Sequence, residues 1–157
     1  MAGRITDVPG VLVGCAEDRE AMTGVTVVLC EDGATFACLT PGPATSTRQA
    51  DAGRPEHLVQ VAHAVCLAGG SAFGLGASTG VMDYLAERGA GHRVRDIVVP
   101  TVPSAVIFDR SATPGLRRPD AAMARQACAS ASADVPRGSV GAGCGATVGK
   151  ALGIGHS

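Results

Sequence analysis

Hydrophobic residues along this chain come in short runs, and turn-forming residues separate them. From Ile5 to Cys15, ITDVPGVLVGC reads as a short strand, a turn at Pro9-Gly10 and a second strand over Val11 to Gly14. The β-branched run TGVTVVLC, Thr23 to Cys30, is bounded by EDG, a hairpin signal, with ATFACLT as its return strand. The chain is therefore expected to start as a β-meander. Residues Pro41 to Glu56 have the composition of a loop that crosses a site. Helical residues follow in EHLVQVAHA, whose latter part reads equally as strand and leads into the apolar run AHAVCLA ending at Ala68.

Gly69-Gly70 closes that run, and Ser71 stands where a helix cap would be, before a helix whose last turn carries Glu87 and Arg88 and which Gly89 stops. Inside this helix Gly74, Gly76 and Gly80 each cost about 1 kcal/mol relative to alanine. Two compensations are open: close packing of a neighbouring backbone, or helix N–H groups kept free to face an anion or oxyanion. Further on, DIVVPTVPSAVIFD gives two extended runs interrupted by Pro100 and Pro103, and Pro119 opens an alanine-rich helix that stops before Pro136. The final stretch, Gly138 to Ser157, is dense in glycine and is expected to be a cut end. Cys144 and Ala151 occupy the positions where a phosphate-binding loop needs Gly and Ser or Thr. Strands outnumber two segregated helices, which makes the class α+β, and a sheet truncated in this way leaves an unpaired edge and an apolar face.

Composition narrows the function. The length of 157 residues and 46% hydrophobic content suit one domain with a core. No apolar run reaches the roughly 18 to 20 residues of a membrane span, and MAGRITDVPG lacks a signal-peptide core, so a cytoplasmic protein without a membrane partner is expected. A net charge of -1 and the absence of Trp argue against nucleic acid. The six cysteines contain no C-x-x-C pair and read as reduced, buried hydrophobes, while the four histidines are scattered; no metal site and no cofactor are read. Asparagine is absent, and Lys150 is the only lysine beside twelve arginines.

Taken in order, ITDVPGVLVG, TGVTVVL, LAGGSAFGL with GVMDYLAERG, VPSAVIFD and GSVGAGCGATVGK resemble the self-processing L-aminopeptidases/D-esterases, a family that includes β-peptidyl aminopeptidases and nylon-oligomer hydrolases. The similarity runs from about Ile5 to Lys150. It implies part of a four-layer αββα sandwich of the N-terminal-nucleophile type, residues 1–157 forming one domain that matches the N-terminal part of the first subunit. The nucleophile, a Ser or Thr opening the second subunit, lies outside this chain, as does the active-site asparagine. By resemblance Lys150 is a catalytic residue, and Phe108 falls where relatives carry tyrosine, which removes a hydroxyl donor. Gly69, Gly70 and Ser71 belong to a strand-to-helix turn beside the substrate pocket. The implied partners are a small peptide, amide or ester substrate, a complementary C-terminal subunit and further copies of the chain in a homo-oligomer.

The expected function is that of the N-terminal portion of an aminopeptidase- or amidase-like hydrolase, inactive by itself. The alternative is a non-catalytic assembly or ligand-binding module that keeps half of the fold. A third reading, Ser71 and His63 acting within the chain, lacks the G-x-S-x-G elbow and an ordered acid.

Overall fold

The computed structural model describes residues 3–43, 46–109 and 117–150. Asp18 makes the first reversal: its Oδ1 accepts the N–H groups of Glu20 (3.1 Å) and Ala21 (3.0 Å). The chain folds back there between β1 (Leu12–Asp18) and β2 (Thr23–Thr35), which pair antiparallel along their shared length. This hairpin stands in place of the one expected at Glu31-Asp32-Gly33. That triplet remains inside β2 as a bulge, where pairing with β4 (Val61–Ala68) jumps from Leu29 opposite Ala64 to Ala34 opposite Ala62. Gly33, at φ +85, supplies the left-handed residue the bulge requires, so Ala34 and Thr35 continue the strand they were expected to oppose.

Two further expectations are corrected. Ile5–Asp7 is a 3-10 turn closed by Asp7 Oδ2 accepting the Arg4 N–H, not a strand. No helix forms in EHLVQ, because the Gln60 carbonyl accepts the Phe36 N–H (3.1 Å) and carries the β2 to β4 ladder onward.

Among the described residues the main sheet has five strands in the order β1-β2-β4-β7-β3, with β3 at Thr47–Arg48 and β7 at Ser104–Val106. Among the described residues only β4 and β7 are parallel neighbours, and the crossover between them carries α1 (Ala77–Glu87) and a ribbon of β5 (His92–Val94) with β6 (Ile97–Val99). Residues opposed across the ladder share a face, which places Val25, Val27 and Leu29 beside Ala68, Cys66 and Ala64. Over that face lie α1 and α2 (Ala121–Ala129), contributing Val81, Leu85, Ala124, Ala127 and Cys128 to the buried core. Burial pushes the thiols of Cys66 and Cys128 up to about 12. α2 begins at Ala121, two residues after the Pro119 expected to open it, and Asp120 caps it, accepting the Met123 N–H at 2.9 Å. Beyond α2, Ser132 and Val13 exchange two backbone hydrogen bonds of 3.0 Å, so the chain covers part of the β1 edge instead of staying helical to Pro136.

Close packing explains the glycines selectively. A methyl group on Gly80 would overlap the Ala121 carbonyl of α2, and one on Gly74 would overlap the Gly69 carbonyl. Gly76 has open space around it, so packing accounts for two of the three. Gly80→Ala and Gly74→Ala are each expected to destabilise by about 1 to 3 kcal/mol through overpacking. Gly76→Ala should instead stabilise by up to about 1 kcal/mol. Thermal unfolding of the three variants checks this, and a uniform sign would refute it.

A second prediction concerns His63, buried on β4 with its Nδ1 accepting the Thr101 N–H (3.2 Å) and its ring edge-on to His92 at 5.2 Å. Burial, then the neighbouring His92, lowers its pKa from the ordinary 6.5. In acid the unfolded chain binds the proton more readily, so this stability is present above 6.5 and is lost as pH falls through the depressed value. The unfolding midpoint should drop on acidification below about pH 6.5. His63→Gln, which keeps an acceptor for Thr101, should flatten that drop; identical pH profiles would contradict the assignment.

Candidate functional site

The face of the sheet away from the helices carries one row of residues across all five strands. Cys15 lies opposite Thr26, Thr26 opposite Leu67, Leu67 beside Ala105, and Ala105 opposite Thr47. Their strand neighbours, Val25 and Cys66 among them, point to the core, so these side chains point outward. At the β3 end of the row a groove of about 520 Å³ opens, with Thr40, Ser46, Thr47, Ser71, Ala105 and Phe108 in its lining. Phe108 is 54% exposed and Leu67, on the central strand, 39%.

Ser71 reaches this groove from a strained turn. Gly70 is left-handed (φ 80) and occupies the cap position, and Ser71 itself has φ 55. Ser71 makes no side-chain cap; a 3-10 segment, Ser71–Gly76, precedes α1 instead. The turn's amides are spent inside the protein. Gly69 N–H donates to the Gly24 carbonyl (2.9 Å), Gly70 N–H to Asp109 Oδ1 (2.9 Å) and Ser71 N–H to the Ile107 carbonyl (3.0 Å). Free N–H groups for an anion are therefore not available at residues 69–71. Gly69 and Gly70 are buried behind the groove, whereas Ser71 and Phe108 line it.

Asp109 organises this junction. It is 4% exposed, and its Oδ2 accepts from Thr23 Oγ1 at 2.6 Å while Oδ1 holds Gly70. A side chain on Gly69 would collide with both Asp109 Oδ2 and Thr23 Oγ1. One carboxylate thus ties the start of β2, the glycine turn and the residue after Phe108. Asp109 was overlooked in the sequence, where a carboxylate ending the apolar run AVIFD was the available signal.

At the other end of the row the glycine-rich segment lies on the sheet. Gly141 N–H donates to Glu17 Oε2 (2.9 Å) and Ala142 N–H to Thr26 Oγ1 (3.1 Å). Lys150 is half-buried, and its Nζ donates to the Thr147 carbonyl (2.6 Å). It does not line the groove. Among the described residues no cluster of three metal-ligating side chains occurs, and no helix is long and apolar enough to cross a membrane.

The model of peptidase family S58 matches residues 3–157. This chain belongs to that family. An uncharacterized aminopeptidase of Mycobacterium tuberculosis is 43% identical over 153 residues, covering 92% of this chain and 44% of that protein. A 6-aminohexanoate-oligomer endohydrolase of Paenarthrobacter ureafaciens is 39% identical over 145 residues, covering 92% and 38%. Among solved structures, a Burkholderia sp. β-aminopeptidase superposes with a TM-score of 0.57 at 27% identity, covering 92% of this chain and 44% of its own. The S58 chain thus spans less than half the length of these relatives and corresponds to their N-terminal part. Its fold is α+β, and the helix layer and sheet described above are part of the αββα sandwich.

Removing the Asp109 carboxylate leaves Thr23 Oγ1 and Gly70 N–H without this acceptor in a buried site. Asp109→Ala should therefore lower stability by about 3 kcal/mol, more than the roughly 1 kcal/mol of an ordinary hydrogen bond. Urea unfolding measures the loss. A value near that of a surface substitution would remove Asp109 from its organising place.

Proposed function

We propose that this chain is the N-terminal portion of a self-processing hydrolase that cleaves amide or ester bonds next to an N-terminal amino acid. The observation that carries the reading is the outer row of the sheet. It joins the groove of Ser71 and Phe108 at one end to the segment leading to Lys150 at the other. Membership of the S58 family supports the same reaction class, as do relatives named as aminopeptidases and as a hydrolase of 6-aminohexanoate oligomers.

In this reading the chain supplies the groove wall and one amine. Phe108 and the methyl groups of Thr47 and Ala105 contact the apolar part of the substrate, and Ser71 offers its hydroxyl. Acyl transfer also requires a nucleophile and donors aimed at the developing oxyanion. These come from a complementary C-terminal subunit, whose leading Ser or Thr uses its own α-amine in proton transfer. Lys150 presents a compact ammonium to the reacting carbonyl or the leaving amine, a task for which a planar guanidinium is poorly shaped. The assembled protein is expected in the cytoplasm as a homo-oligomer.

The test is an assay on p-nitroanilides and esters of small amino acids, with the chain alone and mixed with its C-terminal complement. The chain alone should be silent and the mixture active, and Lys150→Arg should lower turnover in the mixture by about tenfold or more, the scale of a lost acid-base or electrostatic contribution. Turnover by the chain alone that disappears in Ser71→Ala would overturn the reading. Silence of the mixture would favour a non-catalytic module.

A further inference from the structure

We infer that Glu17 and Thr26 are positioning residues that hold the Lys150 segment on the outer face of the sheet, an inference that rests on the reading of Lys150 as a catalytic group. The two side chains stand on neighbouring strands, and each takes one of two consecutive amides, those of Gly141 and Ala142, at 2.9 and 3.1 Å. A carboxylate accepting a backbone N–H makes a charge-assisted bond, stronger than a neutral one. Glycine makes the approach possible from both sides. A methyl on Gly24 would overlap the Gly141 carbonyl, one on Gly141 would overlap Thr26 Oγ1, and one on Gly145 would overlap the Met22 carbonyl. The segment is thereby pinned at 141, 142 and 145 against residues 22–26 of β2 and its turn.

That placement has a consequence for the site. Thr26 belongs to the same row as Leu67, Ala105 and Thr47, so the pinned segment and the groove share one face of the sheet, at opposite ends of that row. Between the clamp and Lys150 the residues 146, 148 and 149 are exposed, so the clamp sets where the amine starts from. Loss of the clamp leaves Lys150 attached to a segment free to lift from the sheet.

Lys150 is the only lysine, so reductive methylation followed by peptide mass analysis reads its amine separately from the α-amine. In Glu17→Ala and Thr26→Val the methylation rate of Lys150 should rise, by about tenfold for the charge-assisted bond of Glu17 and about threefold for the neutral one of Thr26, while hydrogen exchange at Val27 and Cys66 stays as in the parent chain. Thr26→Ser, which keeps the hydroxyl acceptor, should restore the parent rate, and Glu17→Gln, which keeps a neutral acceptor, should bring the rate part of the way back. In the assembled enzyme the clamp variants should lower kcat with KM held, as displacement of a catalytic group does. Unchanged methylation in Glu17→Ala and Thr26→Val, or failure of the conservative pair to rescue, overturns the inference. If Lys150→Arg leaves turnover intact while the clamp variants still expose the amine, the catalytic role of Lys150 falls and its anchoring stands.

Discussion

Side chains are absent where the layers of this molecule touch most closely. On the helix face Gly14 lies under the Ala127 carbonyl and Gly80 under that of Ala121; on the opposite face Gly24 meets Gly141 and Gly145 meets Met22. Backbone contact of this kind brings the layers closer than any pair of side chains could. It also lets a core of Val, Leu, Ala and Cys fill the space between sheet and helices. The same closeness leaves little tolerance: a single methyl group at these positions forces a layer to move.

Polar groups trapped by that packing need partners, and Asp109 meets the need at the sheet end nearest the groove. By binding Thr23 and the Gly70 amide, it joins the first residue of β2 to a turn of two left-handed residues. Ser71 is one of those residues, and the groove takes its shape from how the turn is held. Glu17 and Thr26 perform a related task for backbone amides further along the row. Stability and site geometry therefore rest on the same few hydrogen bonds.

Elements whose residues dictate them locally were legible in the sequence. The apolar run ending at Ala68, the helix closed by Gly89 and the strands divided by Pro100 and Pro103 lie where the pattern puts them, since glycine and proline act through their own backbone preferences. The failures depended on distant partners. EDG has turn chemistry, but β4 was available to pair on both sides of it, and a bulge resulted. EHLVQ has helical composition, but Phe36 claimed the Gln60 carbonyl. For the site, Phe108 and Ser71 could be named from resemblance, while Asp109 could not be singled out because its importance lies in a contact with Thr23, 86 positions away.

On the function proposed above, the chain brings to an S58 peptidase a sheet face, a groove wall and an anchored lysine, and the attacking group comes from a complementary subunit. The most direct test is the intact mass of both subunits after the assembled protein is treated with an activated ester of a small amino acid. The acyl mass increment is expected on the complementary subunit, with an unchanged mass for this chain. An increment on this chain, localised to Ser71, would contradict it.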